Sequence, residues 1–195
     1  MLLQACSKGS NTDEPTEIWQ SLISVTIGPN KTIESIITDN GKTWIVTQEF
    51  TTEFVDTTIR CLAKYKLLDN SSAHIYSLKS VFANTPVKAS SYKEKHTDPV
   101  KFTSAWKGGG YLNLGLILMT HGEGTHKFAF CEDSIATNNA GQKIAYFTFL
   151  HQKPVEDTED YSETRYFCLP LKNYLDCDSV KININTYSGI KIVQR

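Results

Sequence analysis

The sequence lacks an excess of either charge: 20 Lys and Arg stand against 21 Asp and Glu, a net charge of -1. That removes the usual footprint of nucleic-acid binding, a basic face able to neutralise phosphates. No run approaches the roughly 20 apolar residues that a membrane-spanning helix requires. No Cys-x-x-Cys pair occurs among Cys6, Cys61, Cys131, Cys168 and Cys177, so the ligand spacing of a structural zinc site is missing. Also missing are a G-x-S-x-G elbow, a phosphate-binding loop leading into a helix, and a cysteine with a histidine at motif spacing. No catalytic residue and no cofactor are therefore expected, although residues from distant strands can still build an active site.

What is present suits a packed globular chain. The 195 residues are 40% hydrophobic and 11% aromatic, enough for one large or two small domains. Strand patterns dominate. Ile23-Ser24-Val25-Thr26-Ile27 alternates with period two, and Gly28-Pro29-Asn30 makes a turn. Ile33-Glu34-Ser35-Ile36-Ile37 leads to Asp39-Asn40-Gly41-Lys42, an Asn-Gly turn that closes a tight hairpin onto Trp44-Ile45-Val46-Thr47. Residues 58–65 and 73–78 complete a set of short strands, which fits a small OB-like closed barrel because closure removes exposed edges.

Residues 86–99 are polar, charged and bounded by prolines, and read as a linker. Beyond them come strands at 101–106, 111–120, 126–132, 143–152, 164–171, 180–187 and 190–193, with His121 to His126 read as a hairpin turn. This spacing predicts an antiparallel β-sandwich, with at most a helical turn at 169–175. The expected organisation is all-β: a leader and tether at 1–20, a barrel at 21–92 and a sandwich at 97–195.

Leu3-Gln4-Ala5-Cys6 is similar to the bacterial lipobox, with Cys6 as the lipidation site. The polar stretch behind it, with Gly9 and Pro15, reads as a tether that stands a domain off a membrane. Residues 1–5 hold neither the basic n-region nor the apolar core of about 7–15 residues found in secretory signals. The other four cysteines are an even number that can pair in an oxidising compartment or lie in strands as small buried hydrophobes; the second is expected.

Three clusters resemble sites. His121 and His126 flank a turn with Glu123 at its tip, a set able to ligate a metal; a solvated turn is the expectation. Glu156, Asp157, Glu159, Asp160 and Glu163 gather carboxylates as a calcium loop does, but without EF-hand spacing. Gly108-Gly109-Gly110 precedes a strand rather than a helix, so it predicts a bulge or close backbone approach that lets Trp106 and Tyr111 pack.

Several of these residues carry a family resemblance. Asp98-Pro99-Val100, the Trp106-Lys107-Gly108-Gly109-Gly110-Tyr111-Leu112-Asn113-Leu114 stretch and His126-Lys127-Phe128 resemble the NigD-like family. Asp39-Asn40-Gly41, Thr58-Ile59-Arg60 and Ile75-Tyr76-Ser77-Leu78 agree in outline, and Cys6 belongs to the same pattern. The resemblance implies a lipoprotein of anaerobic Gram-negative bacteria, built from an OB-type barrel and a β-sandwich. It brings no catalytic residues. The family takes its name from a gene in a bacteriocin locus, and most of its members have no assigned activity, so a non-catalytic binding or immunity-like role is the expectation.

The expected function is a non-catalytic envelope lipoprotein, held to the outer membrane by a lipid on Cys6 and binding a protein or a glycan. The alternative is an enzyme with its site between the two domains. Nucleic acid is not an expected partner: residues 20–95 hold nine basic and seven acidic side chains, a surplus of two.

Overall fold

The computed structural model describes residues 17–121, 124–155 and 160–195. The first five strands are β1 (Ile18–Ile27), β2 (Ile33–Thr38), β3 (Thr43–Val46), β4 (Thr57–Leu67) and β5 (Ser72–Ser80). They close into a barrel in the order β1-β2-β3-β5-β4, with β3 and β5 parallel and the other neighbours antiparallel. Alternation sends Ile23, Val25, Ile27, Ile36, Trp44, Cys61, Ala63, Tyr65 and Ile75 inside. The other face of each strand turns to solvent or to the second half of the chain. The β2–β3 hairpin closes through Gly41 at φ +83°, with the Asn40 carboxamide oxygen accepting from Thr38 and from the Lys42 amide.

The remaining strands are β6 (Val87–Lys88), β7 (Lys101–Gly108), β8 (Tyr111–Thr120), β9 (Lys127–Thr137), β10 (Lys143–Gln152), β11 (Tyr161–Pro170), β12 (Ser179–Thr186) and β13 (Gly189–Gln194). They form a five-stranded sheet, β13-β12-β10-β9-β6, and a three-stranded sheet, β11-β8-β7. In central β8, Leu112, Leu114, Leu116 and Leu118 are fully buried in the core with Phe130, Phe147, Phe149 and Phe167. Each such side chain contributes roughly 1.5–3 kcal/mol by leaving water.

The all-β class holds, and four expectations change. The chain from His121 to His126 joins β8 to β9, which lie in different sheets, so it is a crossover and not a hairpin. Period-two alternation cannot tell the two apart, since a strand reads the same whichever sheet it enters. The sandwich is mixed, because β10 pairs with β12 and β6 with β9 in parallel. At 169–175, β11 ends at Pro170 and a hydrogen-bonded turn from Leu171 to Tyr174 follows in place of a helical turn.

The fourth change concerns residues 86–99. They are no linker: Val87 and Lys88 pair with Cys131 and Glu132, and Thr97 bridges to His151. The Asp98 amide donates to the His151 carbonyl and the His151 amide to that of His96. The side chains are polar because they face solvent, while the main chain completes a sheet. The last barrel strand ends at Ser80.

Main-chain bonding of this kind slows hydrogen exchange. The Asp98 and Val100 amides are therefore expected to exchange at rates like those of β10, measured by exchange with NMR detection. Exchange within the dead time, as in a free linker, contradicts this assignment.

Candidate functional site at the junction of barrel and sandwich

On β4, Cys61, Ala63 and Tyr65 point into the barrel, so Arg60 and Leu62 point out of it, towards the sandwich. The Arg60 side chain has 0% exposure. Its Nη2 donates to Asp39 Oδ1 at 2.5 Å and to Asn113 Oδ1 of β8 at 3.3 Å. The guanidinium also lies 4.9 Å from the ring centre of Tyr111. A charge is tolerated out of water only when paired and hydrogen-bonded in this way.

The glycine run now has its reason. Gly109 and Gly110, at φ +60° and +83°, turn β7 into β8. Gly109 also lies against the ion pair: a Cβ there would sit 2.6 Å from Asp39 Oδ1 and 2.7 Å from Arg60 Nη1. Its amide donates to the Asp39 carbonyl at 3.2 Å. The expected close backbone approach is present; Trp106 packs edge-on against Tyr166, and Tyr111 packs against Arg60.

Beside this clamp runs a cleft. One hollow of about 390 Å³ lies between residues 79–82 and 163–167, with Leu62 and Phe128 in its walls. A second, of about 310 Å³, is lined by Gln20, Asp39, Leu62, Trp106 and Tyr166. Leu62 and Tyr166 line both, so the two hollows adjoin along the junction. At the rim, Glu163 accepts from Arg165 at 2.6 and 2.8 Å and from Lys79 at 3.3 Å. The Arg165 hydrogen bonds hold the Glu163 carboxyl below its usual range. Next to Arg60, burial pushes the Cys168 thiol up to about 11, so it is a poor nucleophile.

The histidines regroup. His126 Nδ1 lies 2.9 Å from His151 Nε2, and the rings stack with each other and with Phe128. His151 Nδ1 lies 3.0 Å from the Asp98 carbonyl, which only accepts, so that nitrogen carries the proton. His151 Nε2 then accepts from His126 Nδ1–H, and His126 Nε2 accepts from the Thr120 hydroxyl at 3.1 Å. Both rings are satisfied as neutral imidazoles. Burial, at 1% exposure, lowers the His151 pKa from 6.5.

The two histidines weighed as metal candidates take different partners. His121 pairs with Asp160 at 2.5 Å while His126 joins His151, and Glu123 lies outside the described residues. Among the described residues no three His, Cys, Asp or Glu form a metal-binding group. Of the acidic cluster, residues 156–159 lie outside the described residues, Asp160 meets His121 and Glu163 meets Arg165. Glu132 accepts from the Tyr174 hydroxyl, and Asp133 from Lys95 and Thr148. Cys61, Cys131, Cys168 and Cys177 are free thiols, and Cys6 lies outside the described residues.

Sequence reasoning missed Arg60, Asn113 and His151 as members of shared networks. Alternation gave no signal for the first two. With Cys61, Ala63 and Tyr65 in one core and Leu112, Leu114, Leu116 and Leu118 in the other, Arg60 and Asn113 fall on the outward faces of their strands, where a polar residue is ordinary. Only the contact between barrel and sandwich buries them.

A closed five-stranded barrel clamped to a two-sheet sandwich defines a class of two-module β proteins. The model of the NigD-like C-terminal beta sandwich domain matches residues 80–194, and the chain belongs to that family. Its fold is similar to that of a NigD-like immunity protein of Bacteroides caccae (26% identity, 93% of this chain and 92% of that one, TM-score 0.72). A candidate toxin-related protein of Parabacteroides distasonis (16%, 92% and 92%, 0.69) shares the fold. So does a candidate lipoprotein of Bacteroides fragilis (14%, 91% and 96%, 0.58). No curated protein matches the chain.

Removing Asp39 leaves the Arg60 charge buried without its counterion. Asp39→Ala is expected to cost about 3 kcal/mol, near the low end for such pairs, because Asp39 is 28% exposed. Urea unfolding measures it; a loss below about 0.5 kcal/mol, as for a surface pair, contradicts the clamp.

His151 supplies a pH dependence. Above about 6.5 both folded and unfolded imidazoles are neutral and the group contributes no slope. As pH falls below 6.5, the unfolded chain takes a proton that the folded chain resists, so stability falls until the lowered folded pKa is passed. The slope between pH 6.5 and 5 is expected to be shallower in His151→Gln than in wild type. Equal slopes refute the assignment.

Proposed function

We propose that the protein is a non-catalytic binding protein of the cell envelope, anchored by a lipid on Cys6, with the junction cleft as its recognition surface. The observation that carries this reading is the cleft. Its walls are Leu62, Phe82, Trp106, Phe128 and Tyr166, and its charges sit at the edges. An apolar groove with few polar groups suits recognition. Its ionisable groups are already engaged, Asp39 by Arg60 and Glu163 by Arg165 and Lys79, which leaves them poorly placed for acid–base chemistry. The NigD-like immunity protein and the candidate lipoprotein among the structural relatives support a binding role and an envelope location. Leu3-Gln4-Ala5-Cys6 and the polar stretch after it support the anchor.

Two measurements in the native host test this. A palmitate analogue is expected to label the full-length gene product and not its Cys6→Ala variant; equal labelling removes the anchor. A photo-crosslinking residue at position 166 is expected to capture a macromolecule that one at position 68, exposed on the barrel, does not. Capture from 68 but not from 166 overturns the cleft.

A further inference from the structure

The larger hollow is the unfilled continuation of a strand pairing that the chain has already begun. Phe82 runs parallel to β11 and pairs with Phe167, and the Cys168 amide donates to the Phe82 carbonyl at 2.7 Å. That bond identifies the outer edge of β11. Main-chain groups of a strand alternate between its two edges, so Thr164 and Ser162 turn their N–H and C=O the same way as Cys168. β8 takes the opposite edge, and β11 ends its sheet. Among the described residues, no strand pairs with the outer edge of Ser162 to Arg165. Both Ser162 and Thr164 are exposed.

Phe82 also shows what side chain the groove takes. Its ring enters the gap between the two sheets and meets Phe128, Phe130 and Phe167 at 5.7 to 6.2 Å between centres. Further along the groove Phe128 remains only partly covered, with the Arg165 guanidinium 5.8 Å from its ring centre. The hollow there measures about 390 Å³, within the roughly 300–1,000 Å³ of ligand pockets. Among the described residues, Lys79 and Arg165 both pair with Glu163, two positive charges to one negative at the rim.

We propose that the β11 edge at Ser162 and Thr164 binds an extended segment of a partner protein by strand addition, seating an aromatic side chain on Phe128 beside an acidic residue. This deepens the cleft-binding reading and rests on it. Main-chain bonds to Thr164 supply affinity, and the Phe128 floor with the Lys79–Arg165 rim supplies selectivity. An unprotected edge in a folded protein is otherwise a liability for uncontrolled pairing.

The probe is a fluorescein-labelled peptide, Thr-Asp-Phe-Thr-Phe-Asp-Thr, titrated into the full chain by anisotropy. Saturable binding is expected, weakened about tenfold by Thr164→Pro, which removes an outward N–H at an edge where proline is tolerated. Thr164→Val keeps the backbone and is expected to bind as wild type. Methylating alternate peptide amides is expected to abolish binding, a readout that does not depend on any variant folding. No binding, or binding indifferent to both changes, overturns strand addition. So does a dimer in light scattering that Thr164→Pro dissolves, because the occupant is then a second copy. If the probe fails while capture from position 166 persists, only strand addition falls and the cleft reading stands.

Discussion

The relation between the two modules depends on one buried guanidinium. Arg60 leaves the barrel on the outer face of β4 and ends among groups of the sandwich and of the β2–β3 hairpin. Burying a charge is costly, and only a geometry that supplies a counterion, an amide oxygen and an aromatic face offsets it. That requirement fixes Asp39, Asn113 and Tyr111 relative to one another. It also forbids a side chain at Gly109, whose bare backbone lets the β7–β8 turn press on the pair. Such a contact orients two modules as well as joining them.

From the clamp the rest of the junction follows. The chain leaves β5 at Ser80 and lies at once along β11, so the passage between modules is itself a strand pairing. Phe82 fills the nearer end of the gap between the sheets. The farther end, over Phe128, stays open, and the cleft is what remains between a barrel held at the Arg60 clamp and the Lys79–Glu163 ion pair and a sandwich edge only partly covered. The polar stretch at 87–100 closes the opposite side by pairing with β9 and β10 and by holding the His151 imidazole through the Asp98 carbonyl.

Much of the fold was legible in the residues. Alternation in β1, β2 and β8 marks strands because one face must leave water. The Asn40-Gly41 turn names its hairpin because glycine accepts positive φ. The resemblance through Trp106 to Leu114 and His126 to Phe128 pointed to the family whose domain model spans residues 80–194. Less legible was anything resting on main-chain bonding. The proline-bounded stretch at 86–99 is polar in its side chains, and composition carries no trace of what a backbone amide donates to.

The sequence by itself determined the all-β class, the two-part organisation and the alternation that builds both cores, because these follow from the chemistry of neighbouring residues. Only the tertiary structure decided which sheet each strand joins, and hence that the turn after β8 crosses between sheets and that β10 and β12 run parallel. It alone brought Arg60 to Asn113 and His126 to His151, which are 53 and 25 residues apart along the chain. Pairings at such separations depend on the summed packing of every element between them, and no local pattern encodes that sum.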